Sequence, residues 1–329
     1  MIHLTRRALL SAGAAALALP ARANGALDAA IDRARRLDQL HALIVEKDGE
    51  RLVAERVRGP ALDRPVNVKS VSKTLVAALL GAAIDKSVVP SIEATIGEVA
   101  PRLLPADADP RAAGITLGQL ASLQAGLERT SGPNYGEWVS SGNWVANALS
   151  RPFVAEPGSR MLYSTGSTHI LGAGLTEASG ESLLALARDW LGGPLGIEIP
   201  AWTRDPQGYY LGGNEMALSP EAMVRFGETV RQGGTWDGTR VLSEAWVETS
   251  LTPRTRSLWS GLSYGLGWFL GRTSGADVAL ARGYGGQVIA VVPDRALTVA
   301  ITSDPTRPAR SGGYFGDLLR LIDDIVAAT

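Results

Sequence analysis

The chain has 329 residues, a net charge of -1 and 45% hydrophobic residues, the profile of a globular protein with ample core. The near-neutral balance argues against nucleic acid or an acidic membrane surface as the main partner. The absence of cysteine excludes thiol catalysis, cysteine metal sites and disulfides.

The first residues read as an address. Thr5-Arg6-Arg7-Ala8-Leu9-Leu10 precedes an apolar stretch to Leu19 and then Ala21-Arg22-Ala23. A twin-arginine pair, a short apolar region and an A-x-A site predict a bacterial twin-arginine export signal over residues 1–23. The apolar run is too short to span a bilayer comfortably, so no stable membrane anchor is expected after its removal. Residues 24–329 would then be a periplasmic or secreted protein.

Helical periodicity runs from Ala26 to Leu40, and two β-rich runs flank Lys47-Asp48-Gly49-Glu50 as a hairpin. After a loop from Ala61 to Val68 comes Ser70-Val71-Ser72-Lys73, leading into apolar residues at Leu75, Val76, Leu79, Leu80, Ala83 and Ile84. That beat predicts a helix with one buried face. Ser70 stands at its start and Lys73 one turn on, on the same side. A hydroxyl at a helix N-terminus beside an amine in apolar surroundings suits acyl transfer, and backbone N–H groups there can hold an oxyanion. Taken alone, the same pair also reads as a helix cap and a lysine pointing into water.

From Ser91 to Leu251 the pattern is mostly helical. One helix is expected over Ile115 to Leu127, then a loop through Gly132 to Trp138 in which Tyr135 and Trp138 are candidates for a pocket wall or lid. Tyr163, in Met161-Leu162-Tyr163-Ser164-Thr165-Gly166, enters another helix and could hold its phenol against a Ser–Lys pair. Ser219-Pro220 caps a later helix that ends at Gly233-Gly234. The last part turns to strands at 266–270, 277–281, 287–292 and 297–303, then an amphipathic helix from Phe315 to Ala328. Glycines in Ala281-Arg282-Gly283-Tyr284-Gly285-Gly286-Gln287 would let a strand approach a ligand closely, and a backbone N–H there, paired with that of Ser70, would make an oxyanion hole. Strands at both ends predict one antiparallel sheet and a two-lobed α+β protein. Its sheet lobe would cover about 24–68 and 262–329, with a helical lobe over about 69–261.

The order Ser-x-x-Lys, Tyr-Ser-x and a Gly-rich C-terminal strand resembles the serine β-lactamase and penicillin-binding-protein superfamily. Gly212-Gly213-Asn214-Glu215-Met216-Ala217-Leu218-Ser219 and Gly283-Tyr284-Gly285-Gly286-Gln287 resemble its β-lactamase-like esterases and 6-aminohexanoate-dimer hydrolases. The resemblance implies a β-lactamase-like fold, no cofactor and a small ester or amide substrate. Ser70 would be the acylated nucleophile, Lys73 its base partner, Tyr163 the second-motif tyrosine and Tyr284 the source of the second oxyanion N–H beside that of Ser70. Thr165, Arg282 and Gly283 would face the substrate. Thr165 stands where many relatives have asparagine, and Ala281-Arg282-Gly283 replaces the family's Lys-Thr-Gly. No lysine follows Lys86, so the cation that classical members set near a substrate carboxylate is missing. Arg282 sits one position later, on the opposite face of a strand. This favours an esterase or amidase over a β-lactamase or D-alanyl-D-alanine peptidase, with a catalytically silent binding module as a third reading.

Two rival sites fail on sequence. Gly261-Leu262-Ser263-Tyr264-Gly265 matches a nucleophile elbow, yet a strand-like run follows it and no histidine occurs after His169. His41 and His169, the two histidines beyond the signal, are too few for a dedicated zinc site. His169 reads as structural.

Overall fold

The computed structural model describes residues 21–310 and 313–329; the twin-arginine segment up to residue 20 lies outside the described residues. The chain begins with α1 (Ala21–Arg36), the hairpin β1 (Leu40–Lys47) and β2 (Glu50–Arg56), the short β3 (Val66–Asn67) and α2 (Val71–Asp85). A run of short helices follows: α3 (Ile96–Val99), α4 (Leu117–Ala121), α5 (Tyr135–Val139) and α6 (Trp144–Leu149). The long α7 (Thr165–Ser179) leads to α8 (Leu183–Ala187), α9 (Gly193–Leu195), β4 (Ala217–Leu218) and α10 (Pro220–Arg231). A small hairpin, β5 (Thr235–Trp236) and β6 (Thr239–Arg240), precedes α11 (Glu244–Ser250). The chain closes with β7 (Thr255–Arg256), β8 (Ser263–Tyr264), β9 (Phe269–Thr273), β10 (Ala276–Gly283), β11 (Gln287–Val292), β12 (Leu297–Ser303) and α12 (Tyr314–Ala328).

Eight strands form one antiparallel sheet in the order β2-β1-β12-β11-β10-β9-β8-β7, so β1 from one end of the chain pairs with β12 from the other. Strands β11 and β12 are buried along their whole length because both faces are covered. Leu280, Val288, Ala290 and Val299 pack with Ile322 and Ile325 of α12, whereas Ala281, Ile289 and Ala300 pack with the cluster that includes α2 and α10. The expected sheet, built from both termini and carrying a helical insertion, is therefore present. Its boundary differs: β7 joins the sheet from within the stretch assigned to helices, and α10 packs on β11 and β12.

Several element readings are corrected by local chemistry. The first helix stops at Arg36, and Leu40 already belongs to β1. The helix expected over Ile115 to Leu127 is only Leu117–Ala121. Thr116 and Gln119 start it with a capping box, and Leu123 and Gly126, both at positive φ, turn the chain away after its end. The loop ending at Trp138 instead contains α5. Helix α2 is buried on all sides rather than on one face, with the sheet on one flank and α4 and α7 on the other.

Candidate active site

Ser70 occupies the N-cap position of α2, but its side chain makes no capping hydrogen bond. Lys73 is 1% exposed. Both bland readings of the pair, a cap and a solvated lysine, are thereby removed. The turn before the serine is strained: Lys69 has φ 53, a left-handed backbone unusual for a side-chain-bearing residue. Three groups hold it. Asn67 Oδ1 accepts from the Lys69 N–H at 2.9 Å, Glu215 pairs with Lys69 Nζ at 3.0 Å, and Ser72 Oγ donates to the Lys69 carbonyl at 2.6 Å.

The Lys73 amine has three oxygen neighbours: Ser70 Oγ at 3.2 Å, Thr165 Oγ1 at 3.2 Å and the Gly213 carbonyl at 2.6 Å. Desolvation lowers its pKa from 10.5 to about 7, because no carboxylate faces it to offset the loss of water. Tyr163 lies with its ring centroid 5.0 Å from Nζ. Burial raises its pKa, opposed by a hydrogen bond with Ser70 and by the charge of Arg282. The phenol is thus protonated at neutral pH, a proton donor rather than a ready base.

Gly283 ends β10 against the segment before the serine. A Cβ there would overlap the Val68 carbonyl oxygen, so only glycine lets the strand come this close. The next N–H, that of Tyr284, and the N–H of Ser70 donate to no backbone or side-chain acceptor among the described residues. Both residues border a cavity of about 350 Å³ whose walls also include Arg129, Tyr163, Trp259 and Arg282.

Arg282 points to the α12 face of the sheet, as strand alternation requires. Its guanidinium lies 3.3 Å from the Phe315 ring centroid and 4.9 Å from that of Phe269, and it still reaches the cavity wall. Burial lowers its pKa. It has no acidic partner within ion-pair distance among the described residues, and no carboxylate lines the cavity.

Three substrate-contact readings need correction. Trp138 is fully buried, its indole N–H donating to the Trp144 carbonyl at 2.8 Å; it is core. Tyr135 lies outside the cavity lining, its hydroxyl accepting from Asn214 Nδ2 at 3.2 Å. Thr165 is buried, bonded to Lys73 and absent from the cavity lining. The sequence reading missed Ser131, which lines the cavity and meets Thr165 Oγ1 at 3.0 Å, and the Gly213 carbonyl. Ser131 has no local signal. Gly212-Gly213 did have one, in two adjacent glycines whose Cβ atoms would collide with Thr168.

A family model described as Beta-lactamase matches residues 41–322. No curated protein is significantly similar in sequence. Among solved structures, the chain is similar to one described provisionally as a 6-aminohexanoate-dimer hydrolase from Bacillus anthracis, with 18% identity, TM-score 0.73, and 88% of this chain and 79% of that one covered. A penicillin-binding-protein homologue from Caulobacter crescentus gives 19% identity and TM-score 0.73 over 94% and 98% of the two chains. A family VIII carboxylesterase gives 17% and 0.70 over 94% and 97%. At these identities the likeness is one of fold.

Proposed function

Because the chain belongs to the beta-lactamase family, we propose that it is a serine hydrolase that forms an acyl-enzyme on Ser70 and acts on a small carboxylic ester or amide. One observation carries this reading: an entirely buried amine, its pKa lowered by desolvation to about 7, stands 3.2 Å from the Ser70 hydroxyl. Lys73 takes the Ser70 proton as Oγ attacks the carbonyl carbon, and the N–H groups of Ser70 and Tyr284 receive the oxyanion. Tyr163 supplies a proton to the leaving oxygen or nitrogen and regains one from the Lys73 ammonium. Water then attacks the ester carbonyl as Lys73 takes its proton, and the carbonyl–Oγ bond breaks with that proton returned to Ser70. No step calls for a cofactor.

The test is intact-mass spectrometry after treatment with a fluorophosphonate. One adduct is expected on the wild-type protein and none on Ser70→Ala. An unmodified wild type that is well folded would remove the catalytic reading and favour a binding module. A second reading, hydrolysis of a β-lactam or D-alanyl peptide, draws support from the carboxylate-free cavity with Arg129 and Arg282 in its wall. Acylation of Ser70 by penicillin at micromolar concentration, lost in Arg282→Gln, would promote it over the ester reading.

Export rests on Arg6-Arg7 and the apolar run after them. The Arg6→Lys, Arg7→Lys double variant is expected to stay inside cells that otherwise deliver the protein to the periplasm. Equal periplasmic yield would refute the twin-arginine route.

A further inference from the structure

His169 is wholly buried in α7, and the indole rings of Trp138 and Trp144 each lie 5.7 Å from it. Both ring nitrogens are engaged. Nε2 sits 3.1 Å from Asp205 Oδ2, and Nδ1 accepts the Gly212 N–H at 3.4 Å. A backbone N–H only donates, so Nδ1 holds the lone pair and the ring proton is on Nε2, pointed at Asp205. The other carboxylate oxygen of Asp205 accepts the N–H groups of Gln207 at 2.9 Å and Tyr209 at 2.8 Å. This pair therefore pins both ends of the 205–213 segment to α7. Gly212 and Gly213 lie so close to Thr168 that neither has room for a Cβ. The Gly213 carbonyl then meets Lys73 Nζ at 2.6 Å.

We propose that Asp205 and His169 are positioning residues for the Lys73 amine, acting through Gly212 and Gly213 to aim its lone pair at Ser70. The proposal rests on the acyl-enzyme reading above. A neutral amine has two N–H bonds and one lone pair. The Gly213 carbonyl accepts only, so it takes one N–H, and Thr165 Oγ1 takes the other. The lone pair is left for the Ser70 O–H. If the carbonyl swings away, the amine is free to turn an N–H toward Ser70, and the base no longer faces the proton it must remove.

Asp205→Asn isolates this effect because it keeps the shape. Two backbone N–H groups hold Oδ1, so the asparagine must put its oxygen there and its amide NH₂ toward Nε2. His169 must then accept at Nε2 and carry its proton on Nδ1, directly against the Gly212 N–H. Two measurements are made on the full chain: ¹⁵N NMR of labelled histidine, for the tautomer, and the kinetics of Ser70 modification by a fluorophosphonate. In that reaction the Oγ–P bond forms, fluoride leaves and Lys73 takes the proton.

The expected result is a tautomer switch with a maximal modification rate about 10- to 100-fold lower, the scale of a small misplacement of a catalytic group. The half-saturating probe concentration should stay within about three-fold, since the cavity wall is untouched. An unswitched tautomer, or a switch with an unchanged rate, overturns the proposal. Should Asp205→Asn fail to fold, His169→Asn is set against His169→Leu: the asparagine oxygen falls near the Nδ1 position and can accept from Gly212. A faster Asn variant supports the proposal and equal rates overturn it. Failure of the acyl-enzyme reading is separate, since it shows as an unmodified wild-type protein.

Discussion

Lys73→Met is expected to lower turnover by at least about 10³-fold while making the folded protein more stable at neutral pH. The activity loss follows from removing the base that stands within reach of Ser70 Oγ, and losses of this order are typical when one member of a catalytic unit is deleted. The stability gain follows from linkage. The folded pKa is about 7 and the free value 10.5. Between these, the unfolded chain binds a proton that the folded chain does not. The penalty is complete below pH 7 and vanishes above 10.5, so stability rises with pH across that window. At pH 7 it amounts to roughly 4 kcal/mol. Leaving the Gly213 carbonyl without its donor offsets this by about 1–3 kcal/mol, so the variant should gain about 1–3 kcal/mol. That gain should shrink by roughly 3 kcal/mol between pH 7 and 9.5. Urea titrations of both proteins at the two pH values measure it. A difference constant with pH would mean that Lys73 keeps its charge in the folded state. In the wild type, turnover should climb with pH through about 7 as the amine loses its proton.

Gly283→Ala is expected to cost about 10²–10³-fold in turnover with the protein still folded. The added methyl overlaps the Val68 carbonyl, and neither side yields easily, since β10 is held by β9 and β11 and Val68 is buried behind the nucleophile. The end of β10 must lift, carrying Tyr284 and its N–H away from the cavity that it shares with Ser70. Loss of one oxyanion donor has this magnitude. Only the end of β10 moves while the rest of the sheet keeps its pairing, so the thermal midpoint should fall by only a few degrees. A fully active Gly283→Ala protein would show that the Tyr284 N–H does not hold the oxyanion.

How much of this was legible in the chain differs from element to element. The strands β11 and β12 and the helix α12 could be read almost residue by residue, because continuous apolar runs and a 3.6-residue beat are local signals. The α4 segment was misread because a left-handed Leu123 leaves no mark that distinguishes it from a helical leucine. Trp138 was misplaced for a related reason: a Gly- and Ser-rich neighbourhood suggests a loop, but the Trp144 indole and the His169 imidazole offer a better burial than water.

At the site, Ser70, Lys73 and Tyr163, singled out by their order along the chain, lie together in the fold. Lys-Thr-Gly could be ruled out by the absence of any later lysine. By itself, then, the sequence determined the Ser70–Lys73 pair, the sheet closed by both ends of the chain and the missing third-motif cation. Only the tertiary structure decided what Lys73 can do. Its desolvation depends on a helix buried from every side, and its orientation on a carbonyl 140 residues away. Ser131, Gly213, Glu215 and Asp205 likewise act through contacts made across the fold. Burial and hydrogen-bond direction are properties of the packed molecule, and no local pattern of residue types encodes them.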